Sequence, residues 1–110
     1  MEFRKIQQKA MENARRYGKK HKVEIDKNFA ILKLYEEVGE FAQAVLIHDK
    51  KSRPEKFVKE EASKKMVAKE LADIIGMCMV NAELLGIDLE KAFYDKWLYK
   101  VENNESQKNL

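Results

Sequence analysis

A chain of 110 residues with no threonine, one proline (Pro54) and four scattered glycines has few places to turn except at helix ends. Apolar residues fall at helical rather than alternating spacing, which predicts an all-α fold. Four helices are expected. The first spans Phe3 to about Tyr17, with Phe3, Ile6, Ala10, Ala14 and Tyr17 on one face and Gly18 as its stop. Residues 19–27 read as a polar, basic connection. Asp26 or Asn28 can cap a second helix that continues to about His48. A charged stretch follows over 49–65, in which Pro54 is expected to start a new helical segment. The third helix covers at least Met66 to Leu85 and ends at Gly86. Asp88 then caps a fourth, Leu89 to about Val101, whose expected inner stripe is Leu89, Ala92, Phe93, Trp97 and Val101. The pattern predicts a four-helix bundle forming a single domain over 1–110, with a polar tail at 102–110 that frays.

Composition narrows the function classes. A hydrophobic fraction of 45% excludes an intrinsically disordered chain, and a charged fraction of 37% fits a water-facing surface. The net charge of +3 is too small an excess for a dedicated nucleic-acid binder. Cys78 is the only cysteine, so no intrachain disulfide can form, and its place in the apolar run from Ile74 to Ala82 suits a small buried hydrophobe. The residues MEFRKIQQ lack the apolar core of a signal peptide, and no apolar run approaches the ~20 residues of a membrane span. A cytoplasmic protein with no membrane partner is expected.

The acids are the anomaly. On the second helix, Glu36, Glu37 and Glu40 fall within an arc of about 100°, together with Phe29, Lys33, Ala44 and Ile47. The opposite side (Ile31, Leu34, Val38, Phe41, Val45) is apolar too, so the helix is expected to be covered nearly all round. On the third helix, Glu70 and Asp73 share a sector with Met66, Ile74, Met77, Asn81 and Leu84, whereas Lys65, Lys69 and Glu83 mark the wet side. Carboxylates inside a bundle are costly unless paired or bound to metal. Both helices present acids at i, i+3, Glu37 with Glu40 and Glu70 with Asp73, so each pair projects from one face. Facing each other, these four supply the hard oxygen donors that magnesium prefers. The competing view makes them surface acids bridged to lysines. A di-iron site would want Glu-x-x-His, and neither His21 nor His48 has that spacing; two isolated histidines and one cysteine also fit zinc poorly.

The string E-E-V-G-E (Glu36 to Glu40), followed by E-L-A-D (Glu70 to Asp73), resembles the EExxE…ExxD signature of MazG-like nucleotide pyrophosphohydrolases. The resemblance runs on through NAELLGIDLEKAFYDKW (Asn81 to Trp97) and covers about two thirds of the chain. It implies the all-α NTP pyrophosphatase fold, usually a homodimer or homotetramer, which hydrolyses a nucleoside or deoxynucleoside triphosphate to monophosphate and pyrophosphate with magnesium. Carried over, Glu37, Glu40, Glu70 and Asp73 are metal ligands, and the catalytic pair is Glu36 and Glu37. Glu36 is then a further ligand or the group that orients the attacking water. Two departures stand out. The 29-residue spacer between Glu40 and Glu70 is long for the family, and the basic cluster after the fourth helix is reduced to Lys96 and Lys100.

Five ionised carboxylates and a triphosphate together carry about −9, which one divalent cation cannot balance, so about two or three Mg2+ ions are expected, with Mn2+ as a substitute. Lys33, Arg53, Lys96 and Lys100 are candidates for the phosphates, each with a solvated side chain as the plain alternative. Asn81 could bond a carboxylate or the sugar, or serve as a buried structural amide. Gly39 and Gly76 are expected to permit close helix packing beside the acids, and Trp97 and Phe29 to pack in the core or stack on a base. Helix two's apolar surroundings predict a homo-oligomer. Two rival functions remain: a phosphoribosyl-ATP pyrophosphohydrolase, which carries similar acids, and a catalytically silent helical oligomerisation or regulatory module.

Overall fold

The computed structural model describes residues 2–103, so the expected fraying of the tail beyond Asn103 lies outside the described residues. Helix α1 spans Phe3–His21, α2 Lys27–His48 and α3 Glu60–Leu85, with a 3-10 turn at Pro54–Lys56. A last helical run is α-helical at Leu89–Phe93 (α4), π-helical at Tyr94–Leu98 and α-helical again at Tyr99–Glu102 (α5). No strand occurs among the described residues.

The boundaries have local causes. The Asp26 carboxylate accepts a hydrogen bond from the Phe29 amide at 2.8 Å and caps α2, and Asp88 accepts from the Lys91 amide at 3.1 Å and caps α4. Gly86 ends α3 with a left-handed φ of 68°. Gly18, by contrast, does not end α1. The helix runs one turn further, with Lys19, Lys20 and His21 at the negative end of its dipole, and Lys22 takes the left-handed position at φ 56°. Gly18 is required for another reason: a Cβ there would lie 2.6 Å from the Val23 carbonyl and 2.7 Å from Ile25 Cγ1. The absence of a side chain lets the returning segment fold against α1. Helix α3 starts before Met66, at Glu60, because Glu60 and Glu61 suit a helix N-terminus.

Helices α2 and α3 pack antiparallel, as their contacts require: His48 meets Ser63 at one end and Asn81 meets Ala30 at the other. The buried seam of α2 is Ala30, Glu37 and Ala44, repeating every seven residues along one side of the helix. Helix α1 lies against the second half of α3, where Met11, Ala30 and Val80 form the core with Ala14, Ile25, Met77 and Leu84 around them. Gln7 is fully buried there and donates to Glu83 at 2.9 Å and to the Ile87 carbonyl at 3.2 Å. Glu83 also pairs with Arg4 at 2.7 Å, so it ties α1 to α3 instead of marking a wet side.

One expectation fails on the outside of this three-helix unit. The stripe expected to face inward on the last helix is largely exposed, with Trp97 at 56% and Val101 at 52%. Phe93 and Trp97 stack on each other, ring centroids 6.3 Å apart, and the segment meets the rest of the chain chiefly at α1. Within the single chain, helix α2 keeps part of its apolar surface exposed. Its acid-bearing side turns inward, and Leu32 (60%) and Tyr35 (70%) face outward, as does Ile75 of α3. No helix among the described residues is long and apolar enough to cross a membrane. Cys78 is half-buried, and burial raises its thiol pKa.

Candidate metal centre

The acids meet because the α2–α3 register is pinned at both ends. Near the α2–α3 connection, His48 Nδ1 lies 2.7 Å from Ser63 Oγ, which donates to the Glu60 carbonyl at 2.8 Å. At the far end the Asn81 amide donates to Ala30 O on α2 at 3.0 Å and to Met77 O one turn back on α3 at 2.7 Å. Between the clamps the chain places Glu37 opposite Glu70 and Asp73. A slip of one residue would carry Glu37 out of the seam.

Glu37 is the hub. One oxygen from each of Glu36, Glu37 and Glu40 fits within 4.8 Å of the others, and so does one from each of Glu37, Glu70 and Asp73. Burial is graded: Glu37 is buried, Glu40 and Glu70 are half-buried, and Glu36 and Asp73 reach solvent. Glu37 Oε2 and Glu70 Oε2 are buried with no hydrogen-bond partner. An orphaned carboxylate oxygen inside a protein is costly, and either a proton or a bound cation relieves that cost. The electrostatics agree. Burial, then the neighbouring carboxylates of Glu40 and Asp73, pushes Glu37 up to about 7, against a smaller downward pull from Lys33. Burial of its carboxyl, followed by the charges of Glu40 and Asp73, likewise raises Glu70. All five acids sit together as a cluster able to hold a metal ion.

The basic candidates separate. Lys33 stands at the cluster, paired with Glu36 at 2.5 Å and lying 3.7 Å from Glu37. Arg53 is exposed and pairs with Glu55 at 3.4 Å in the α2–α3 connection. Lys96 and Lys100 belong to the last helical run, which packs chiefly against α1 and not against the α2–α3 seam. Both hydrogens of the Asn81 amide are spent on carbonyls, so it clamps the helices and has no donor left for a carboxylate, while its Oδ1 keeps its acceptor capacity. A Cβ at Gly39 or Gly76 would meet nothing within 4 Å, so close helix packing does not explain either glycine.

Beside the acids, α1, α2 and α3 line a cleft of about 380 Å3 that opens to solvent, whose wall includes Glu37, Asp73 and Lys33 at one end and Phe29 and Tyr17 along its side. Sequence reasoning gave α1 no part in the site. The one available signal was Asn13, a polar residue between Ala10, Ala14 and Tyr17 on the stripe that lines this space. Compared with family models, curated proteins and solved structures, the chain matches none.

Proposed function

We propose that the protein is a magnesium-dependent nucleotide pyrophosphohydrolase, converting a nucleoside or deoxynucleoside triphosphate to the monophosphate and pyrophosphate. The observation that carries this reading is the pair of buried, unpartnered oxygens on Glu37 and Glu70 inside a five-carboxylate cluster from facing helices. The E-E-V-G-E and E-L-A-D motifs add the likeness to MazG-like enzymes. Glu37, Glu40, Glu70 and Asp73 would hold Mg2+, which when bound neutralises phosphate charge and lowers the pKa of a coordinated water.

The chain's own groups supply the rest. Glu36 is exposed at the rim and shares the cluster's edge, a position suited to orienting an attacking water. Lys33 is the cation placed to meet a phosphate oxygen, and its contact with Glu36 holds it at the rim until one arrives. The outward apolar side chains Leu32, Tyr35 and Ile75 support a homo-oligomer that covers them.

The test is product analysis. With millimolar magnesium, pyrophosphate and not orthophosphate should appear from at least one NTP or dNTP, and EDTA should stop it. Failure of a broad nucleotide panel with both magnesium and manganese would refute the reading.

A further inference from the structure

The cavity beside the acids has a composition that the metal chemistry does not use. Its end at Glu37 and Asp73 is acidic, but its walls are apolar: Ala10, Ala14 and Met77 face the space, with Phe29 and Tyr17 alongside. At about 380 Å3 it falls in the size range of small-ligand pockets, larger than a hydrated metal ion needs. Small side chains on α1 keep it open. The Tyr17 ring lies near His21, at a centroid distance of 4.6 Å, and near Lys33, whose Nζ lies 6.0 Å from its centre. Phe29 continues that aromatic wall, with its ring 6.3 Å from Tyr17. One amide, Asn13, stands on the lining.

An apolar slot with an aromatic wall and one amide matches the flat face and polar edge of a nucleobase. We infer that the cavity between α1, α2 and α3 binds the nucleoside part of the substrate, with Asn13 reading the base edge while the phosphates lie at the acids. The inference rests on the pyrophosphohydrolase reading and deepens it. An amide can present its oxygen to a base amino group or its NH2 to a base carbonyl, so Asn13 can distinguish bases by the pattern at their edge. Ala10 sets how deep the base enters, because any larger side chain there would occupy the slot.

The experiment compares wild type with N13A and A10L on a panel of the four NTPs, their deoxy forms, and inorganic tripolyphosphate, all with Mg2+. Asn13 is exposed, so N13A should fold, which keeps the idea open to refutation if A10L does not. A10L should raise KM for the preferred nucleotide at least about tenfold, leaving tripolyphosphate affinity within about twofold, since only the nucleoside needs the slot. N13A should narrow the spread of kcat/KM between bases by about fivefold or more. Variants that leave both KM and base preference unchanged while pyrophosphate is still released overturn the inference alone. If no nucleotide is hydrolysed, the parent reading has failed. Calorimetry with a non-hydrolysable NTP analogue then decides the cavity: tighter binding than tripolyphosphate, lost in A10L, supports it, and equal binding overturns it.

Discussion

Lys33 precedes Glu37 by one helical turn, with its Nζ 3.7 Å from the Glu37 carboxylate, yet its closer partner is the exposed Glu36. The only cation paired with the buried hub among the described residues is thus shared with the rim, and it leaves Glu37 pushed up to about 7. Replacing it with K33M removes a competitor for the acids and a contact for the phosphates. Magnesium affinity should hold or rise, whereas kcat/KM for an NTP should fall by about tenfold or more, the scale of one charge-assisted hydrogen bond. Equal losses in both quantities would mean that Lys33 only props up the helix.

The pH dependence of stability follows from the same shift. A carboxyl whose folded pKa lies above its unfolded value holds its proton more tightly in the native state. Its contribution is therefore intact below about 4.5 and is lost as pH rises towards about 7. Metal-free protein should lose on the order of 3 kcal/mol of stability across that window from Glu37. Denaturant melts in EDTA between those limits check it. E37Q should make the profile shallower, since an amide does not titrate, leaving the part that Glu70 contributes.

Asn81 is a clamp, so its loss should appear in stability. N81A leaves the Ala30 carbonyl without its cross-helix donor and should cost about 1–3 kcal/mol. N81D should cost more, because it sets an acceptor against two carbonyls. Activity per folded molecule should stay near wild type in N81A at temperatures well below its melting point. A selective loss of kcat in a fully folded N81A would give Asn81 a direct part in the chemistry.

How much of this was legible beforehand differs by element. The helical period placed Glu37, Glu40, Glu70 and Asp73 on facing sides because one seam has to bury, and the seven-residue repeat Ala30–Glu37–Ala44 lies in the sequence itself. The caps at Asp26 and Asp88 were equally local. The last helix was misjudged because an apolar stripe says that a face wants cover without saying that this chain supplies it. Phe93, Trp97 and Val101 have the right spacing and little to pack against. Gly18 was misread because its constraint is the approach of Val23 and Ile25, which no helical pattern encodes. The cavity was invisible for a similar reason, since it needs the angle of α1 against the α2–α3 pair.

The exposed apolar side chains predict assembly. Sedimentation equilibrium at micromolar concentration should give a multiple of the 12.9 kDa chain. Y35E, at a side chain 70% exposed in the single chain, should shift it towards monomer. A wild-type protein that sediments as a monomer would sink the idea.

Thermal melting of wild type and D73N, each in EDTA and in excess magnesium at pH 8, puts the metal centre to its sharpest trial. Asp73 is exposed at the rim of the cluster, so the isosteric amide should fold. If the acids repel one another and hold a cation, D73N in EDTA should melt at or above wild type, because one repulsive charge has gone. Wild type should gain about 2.7 kcal/mol from one ion at 100 times its dissociation constant, and D73N should lose most of that gain together with pyrophosphate release. A D73N protein that melts clearly lower in EDTA and keeps the full magnesium gain would contradict the account, and would make these acids ordinary salt-bridge partners.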